Sequence, residues 1–361
     1  MLEEFDWATG MFAVRDGLTE RCSREWVLDQ ERSTDRLQVL DGLRATSILL
    51  VLACHMLPLG PKILQLNYSA GAMGMSLFFS LSGFLIVSTL LHNPNVPEFL
   101  VKRAVRILPL AYAYLIFVYT VVWFDPSAAF WTSTFFVNYL PSYFVGGLNA
   151  HFWSLCVEVQ FYLAVAVIVL MGGRVGLWSL VPICLLITLI RVHEGAYIAI
   201  QTHLRVDEIL IGGCVALFYH RSGRWSVRFP TVLAFLAAAL WFLSSTVWMQ
   251  WFQYFRPYAT GLMLAIVLCH KDTALAFVLR SRAMRYIATI SYALYIIHPL
   301  TLHGWLGQGP KLDMYLFKRP ISFLITFVAA HLSTFYWEKM WMRAGRNWIR
   351  GRKAQLANPA V

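Results

Sequence analysis

Charge is scarce in this sequence. Asp, Glu, Lys and Arg make up 14% of its 361 residues, against about 25% in an average soluble domain. With 58% hydrophobic and 15% aromatic residues, the apolar runs are too many and too long to hide inside a water-soluble fold. Cysteine is also sparse. Cys22, Cys54, Cys156, Cys184, Cys214 and Cys269 are all there is, and all but Cys22 fall in apolar runs. That argues against a disulfide framework, and no thiol pair has metal-binding spacing. No apolar stretch followed by a small-residue cleavage site opens the chain, so a signal peptide is not expected. No large polar loop interrupts the apolar runs, and no internal repeat is visible. These absences leave an all-α, polytopic membrane protein.

What is present fits that class. Ten apolar stretches fall near residues 37–57, 71–91, 106–124, 152–171, 176–192, 204–220, 229–249, 255–270, 284–303 and 320–342. The third is expected to begin at Ile107-Leu108-Pro109, because proline suits the first turn of a helix. The formal net charge of +11 invites a nucleic-acid partner. Topology explains it better. If the N-terminus is cytoplasmic and the chain crosses ten times, 23 of the Lys and Arg residues face the cytoplasm. Only Lys62, Arg191, Arg205, Arg256, Lys311, Lys318 and Arg319 face outward. That bias is the positive-inside rule. Both termini are then cytoplasmic, in a multi-pass protein of the cell (inner) membrane. Residues 1–36 form a cytoplasmic N-terminal segment, 37–342 the transmembrane domain, and 343–361 a basic cytoplasmic tail. The segment near 125–151, containing FWTSTFFVNYL, reads as a re-entrant or interfacial helix.

The stretch Leu37–Leu57, LQVLDGLRATSILLVLACHML, carries Asp41, Arg44 and His55 within an apolar run. Eleven helical residues span about 16 Å and fall about 20° off three full turns. One face therefore shows a guanidinium near one membrane surface and an imidazole much deeper. Ionisable groups at such depth mark functional sites. A neutral imidazole can take a proton from a hydroxyl; a structural His bonded to a carbonyl is the plainer alternative. Asp41 is a natural structural partner for Arg44.

Other polar groups cluster in short segments. Lys102, Arg103 and Arg106 sit in KRAVR, with Arg103 and Arg106 on one helix face. Arginine forks match phosphate oxygens, though topology alone also explains the triad. A nucleotide-type anion held there could send a long arm toward His55. In HFWSLCVE, Trp153, Ser154 and Glu158 open the fourth span. Glu158 is expected at a depth where it could orient His55, or else pair with an arginine elsewhere. Ser82 lies in FFSLSGF, where Ser and Gly allow close helix packing or offer a surface to a pantetheine arm. In HLRVDE, Arg205 with Asp207 or Glu208 could bind sugar hydroxyls or form an interfacial ion pair. His298, in SYALYIIHP, could touch an acceptor. The expectation is a tunnel, basic at one mouth and ending at a lone imidazole.

Together these segments resemble the acyltransferase-3 family of integral-membrane O-acyltransferases. The matches are LDGLRA with Arg44 and His55, FFSLSGFLI, KRAVRILPLAY, HFWSLCVEVQFY, HLRVDEILIGG and SYALYIIHP, in the family's order across about residues 36–342. The resemblance implies about ten spans and transfer of an acyl group, acetyl in many cases, from cytoplasmic acyl-CoA to a hydroxyl of an extracytoplasmic sugar or glycan. It implies acyl-CoA (acetyl-CoA) as donor substrate, no metal, a carbohydrate acceptor and a lipid bilayer as surroundings. Arg44 and His55 would be the functional pair, with Arg103 and Arg106 near the donor. Some members carry an extra hydrolase-like domain, which is not expected here. Two rival readings use the same residues: a proton-coupled transporter of sugars or lipids, and a cytoplasm-facing acyltransferase acting on a small metabolite. Paired inverted halves with matching broken helices, which would favour the transporter, are not visible.

Overall fold

The computed structural model describes residues 38–222, 231–269 and 274–357. The expected N-terminal segment 1–36 lies outside the described residues. Helix α1 runs Gln38–Met56. Then follow α2 (Leu66–His92), α3 (Val96–Phe117), α4 (Pro126–Ser133), α5 (Phe152–Gly176), α6 (Leu180–His193), the short α7 (Thr202–Arg205) and α8 (Asp207–Arg221). The remainder is α9 (Thr231–Leu243), α10 (Arg256–Cys269), α11 (Ala274–Leu279), α12 (Arg282–Ile297), one turn α13 (Lys311–Asp313), α14 (Arg319–Leu332) and α15 (Lys339–Ala357). No strand occurs among the described residues, so the fold is all-α.

Five helical segments are long and apolar enough to cross a membrane: Gln38–Met56, Lys62–His92, Val96–Val122, Phe152–His193 and Lys311–Lys353. The 42 residues of Phe152–His193 comprise α5 and α6, with a bend near the end of α5 at Gly173, whose φ is +58°. Leu163, Val167, Leu170 and Met171 on α5, and Leu185, Leu186 and Leu189 on α6, are all more than half exposed. Apolar faces of that extent suit lipid rather than water.

Helix α3 begins about ten residues earlier than the apolar run suggested. Asn95 caps it, its side chain accepting the Glu98 N–H at 2.9 Å, and Pro97 occupies the first turn. This local start signal overrides the polarity of Lys102 and Arg103. Pro109 is consequently inside the helix, not at its start. The segment 125–151 contains the short α4 and two single turns, and Asn149 knots it together. The two N–H groups of the Asn149 amide are shared among Tyr119 Oη (2.8 Å), Thr132 Oγ1 (3.0 Å) and the Tyr143 carbonyl (2.9 Å), and its oxygen accepts the Val145 N–H (2.7 Å).

The most extensive helix contact joins α2 and α8. Here SLSG meets LIGG with backbone nearly touching backbone. A Cβ at Gly83 would lie 1.9 Å from the Ile209 carbonyl oxygen, and one at Gly212 would lie 1.9 Å from that of Ser80. Ser80 Oγ bonds the Glu208 carbonyl across the same seam at 3.0 Å. Small residues permit this approach where packing, not water, drives helix association. The other stretch of interest is α15, which continues α14 and lies against α3. Gly345 fits over Val105, and Lys353 reaches Glu98 at 2.9 Å.

Gly212→Ala must push two backbones apart, at a cost of about 1–3 kcal/mol. Gly172 has no neighbour within 4 Å of an added Cβ, so Gly172→Ala serves as the matched control. Thermal unfolding of the detergent-solubilised protein should show a clear drop in Tm for the first variant and none for the second. Equal melting of both would remove the close seam.

Candidate functional site

Two cavities lie toward opposite ends of α1. One, about 580 Å³, is lined by His55 with Trp153, Arg205, Arg256, Tyr295 and His298, among others. The second, about 50 Å³, is lined by Arg44, Ser82, Arg103, Arg106, Glu158 and Tyr162, with Phe78 and Tyr292. Arg44 and His55 therefore serve different cavities, as eleven helical residues of separation require.

Three guanidinium groups, of Arg44, Arg103 and Arg106, and the Glu158 carboxylate line the arginine cavity together. Arg44 reaches back to Asp41 at 3.5 Å. Arg103 lies over the rings of Phe99 and Tyr162, at 5.8 and 5.7 Å from their centroids. Glu158 accepts from Ser82 Oγ at 2.5 Å and from Tyr162 Oη. This corrects the expected pairing of Glu158 with His55. Glu158 lies four residues beyond Ser154, about 6 Å deeper along α5, and its donors wait at the arginine end. Lys102 does not line the cavity either. It is captured by Glu98, four residues earlier, at 2.8 Å, and remains about half exposed.

The larger chamber is lined by four imidazoles, those of His55, His151, His298 and His303, not the lone one expected. The rings of His55 and His298 are 5.1 Å apart, and those of His298 and His151 are 5.8 Å apart. His151 opens the HFWSLCVE segment, whose sequence gives no sign that the imidazole enters a cavity. Among the described residues no three His, Cys, Asp or Glu side chains are arranged to hold a metal ion. His55 Nδ1 lies 3.0 Å from the Val51 carbonyl, and His298 Nδ1 lies 2.8 Å from that of Tyr295. A carbonyl oxygen only accepts, so in both rings Nδ1 carries a proton, and in the neutral imidazole Nε2 then keeps its lone pair. The buried His151 side chain has no hydrogen-bond partner at either ring nitrogen. A proton acceptor and an unsatisfied imidazole thus share one enclosure.

The remaining expected site residues divide. Trp153 and Arg205 line the chamber, and the Arg205 guanidinium lies 5.5 Å from the Trp153 ring centroid. Ser154 does not line it. Its hydroxyl bonds Tyr295 Oη at 2.5 Å, and Tyr295 in turn donates to the His151 carbonyl at 2.7 Å. Asp207 also turns away, into a buried ion pair with Arg191 at 2.5 Å. Position 207 opens α8 on the side facing α6, so its carboxylate meets α6 and not the cavity. Arg256 lines the chamber and had no signal beyond being a single positive residue in an apolar context.

The expected open tunnel is interrupted. Phe78 lines the arginine cavity and stacks at 6.2 Å on Tyr295, which lines the histidine chamber. These two rings stand between the cavities. The far side of the chamber is roofed by Ile198, Ala199 and Ile200. That roof is tied down through Asn138, which donates to the Ile200 carbonyl (3.2 Å) and Thr202 Oγ1 (3.0 Å), while Thr202 donates to Gln160 (2.6 Å).

Comparison with known proteins bears on what this arrangement is for. The peptidoglycan O-acetyltransferase OatA of Listeria monocytogenes serovar 1/2a is 25% identical over 311 residues, covering 72% of this chain and 48% of its own. YrhL of Bacillus subtilis (strain 168), named as a candidate peptidoglycan O-acetyltransferase, is 27% identical over 310 residues, covering 72% of this chain and 47% of its own. The SAR0937 protein of Staphylococcus aureus (strain MRSA252) is 24% identical over 369 residues, covering 88% and 59%. The chain thus spans about half the length of the first two relatives. No solved structure matches it. The acyltransferase-domain profile matches residues 37–336, a span that encloses every residue lining the two cavities, and the chain belongs to this acyltransferase family, acyltransferase-3.

Proposed function

We propose that the protein is a membrane-bound O-acyltransferase. It moves an acyl group, acetyl by preference, from acyl-CoA held at the arginine cavity to a sugar or glycan hydroxyl in the histidine chamber. In this reading the chain crosses the membrane about ten times with both ends cytoplasmic. The arginine cavity faces the cytoplasm and the chamber faces outward. The observation that carries it is the His55 ring: Nδ1 is fixed by Val51 and Nε2 is free in a chamber with room for a sugar. The names of the relatives favour a cell-envelope glycan as acceptor.

The chemistry follows from the groups present. The phosphates of acyl-CoA lie against Arg103 and Arg106, with Arg44 supplying further positive charge. The pantetheine arm passes the Phe78–Tyr295 rings, which swing aside, and brings the thioester to His55. Its length matches the roughly 16 Å between Arg44 and His55 along α1. His55 Nε2 removes the proton from the acceptor hydroxyl. The oxygen bonds to the thioester carbonyl carbon and the carbon–sulfur bond breaks. The proton is returned from His55 to the departing thiolate, giving CoA and an ester. His298 and His151 contact the acceptor, and Glu158 organises the arginines.

Removing the base tests the reading. His55→Ala should lower acetyl transfer by about 10²–10⁴-fold while membrane level and Tm stay normal, measured as CoA release by purified protein with acetyl-CoA and a sugar acceptor. Full activity in that variant sinks the base assignment. Substrate flux across vesicles without any CoA release points to a carrier instead. Arg103→Ala should raise the KM for acetyl-CoA by about 10-fold or more, with a smaller change in kcat. An unchanged KM would reduce KRAVR to a topology signal.

A further inference from the structure

A buried cluster that includes two residues of the chamber wall holds more positive than negative charge. Glu208 on α8 is fully buried and faces two arginines, Arg256 Nε at 2.7 Å and Arg205 Nη2 at 3.2 Å. Beside it Arg191 and Asp207 neutralise each other. Three guanidinium groups thus stand against two carboxylates, leaving a surplus of one positive charge. Arg205 and Arg256 are 5% and 1% exposed and both line the chamber. Neither is saturated: Arg256 Nη1 and Arg205 Nε have no hydrogen-bond partner. Glu208 Oε2 likewise has no hydrogen-bond partner, yet one carboxylate cannot neutralise two guanidinium groups, and a surplus buried charge with unused donors is costly unless a ligand completes it. Simple structural bracing does not account for it, since bracing alone would favour equal charge and full bonding.

We infer that the chamber selects an acceptor bearing a negative charge, a carboxylate or a phosphate, which Arg256 and Arg205 hold while a nearby hydroxyl is presented to His55. This rests on the acyltransferase reading and narrows its substrate to anionic saccharides. Trp153, under the Arg205 guanidinium at 5.5 Å, fixes that side chain and offers an apolar wall for the sugar ring. Arg205, Arg256 and the four imidazoles line one cavity, so an anion held by the arginines lies in the same space as His55.

The test uses purified full-length protein with three probes: glucose, glucuronic acid and glucose 1-phosphate. Ligand-dependent stabilisation against heat reports binding without reference to activity, and acetyl transfer from acetyl-CoA reports catalysis. Either anionic probe should bind about 10-fold tighter than glucose or better; whichever of the two binds tighter identifies the carboxylate or the phosphate source. Arg256→Gln should erase that preference and raise the acceptor KM, with its effect falling on the acceptor and not on the KM for acetyl-CoA. Glu208→Gln removes one of the two carboxylates and should strengthen the anion preference several-fold, an outcome that damage to the fold cannot imitate. Equal binding of glucose and both anions, or a weakened preference in a folded Glu208→Gln variant, overturns the proposal. If anions bind selectively but no acetyl transfer occurs, the site stands and the acyltransferase reading fails.

Discussion

The close approach of α2 to α8 is the contact on which both cavities depend. It is a meeting of backbones, set by Gly83 against Ile209 and Gly212 against Ser80. Backbone contacts leave no slack, because no side chain can change rotamer to absorb a shift. On one side of the seam α2 carries Phe78 and Ser82 to the arginine cavity. On the other, α8 carries Glu208 to Arg205 and Arg256, which line the histidine chamber. A displacement of one ångström would unseat the Ser82–Glu158 bond and the Glu208–Arg256 ion pair together. The two polar sites are therefore set in register by apolar packing, not by each other.

Much of this was legible in the sequence, for a definable reason. Properties that repeat along a helix can be read from spacing. The positions of Arg44 and His55 on α1 follow from 3.6 residues per turn, and so does the shared face of Arg103 and Arg106. The small residues of FFSLSGF announced a tight interface. What spacing cannot give is which of several distant segments a side chain meets. Glu158 and His55 share a plausible depth, yet Ser82 and Tyr162 decide where the carboxylate points. Arg256 and His151 are single polar residues with no local pattern around them, and their importance emerges only when α5, α8, α10 and α12 converge. The start of α3 is a different case. Asn95, Pro97 and Glu98 form a recognisable helix start, and the apolar run merely masked it.

The buried charges illustrate how a membrane protein can carry ionisable groups at depth. Asp207 and Arg191 form a closed pair, while Glu208 is shared between two arginines. Exchange of carboxylate partners between these arginines is prevented by placing the two acidic residues in sequence at the start of α8, where their side chains diverge toward α6 and α10. The same arrangement separates a purely structural ion pair from one that borders a cavity.

The stacked rings of Phe78 and Tyr295 have a consequence for the bilayer itself. Polar cavities that approach each other from opposite ends of a helix leave little insulating material between them. A continuous file of water there would let protons leak and run down the ion gradient of the cell. Two aromatic faces in contact are a dielectric plug, and the slender, largely uncharged arm of a thioester donor could take their place without opening a wet path. In the mechanism proposed above, electrical tightness is kept during turnover by the donor arm that displaces the plug.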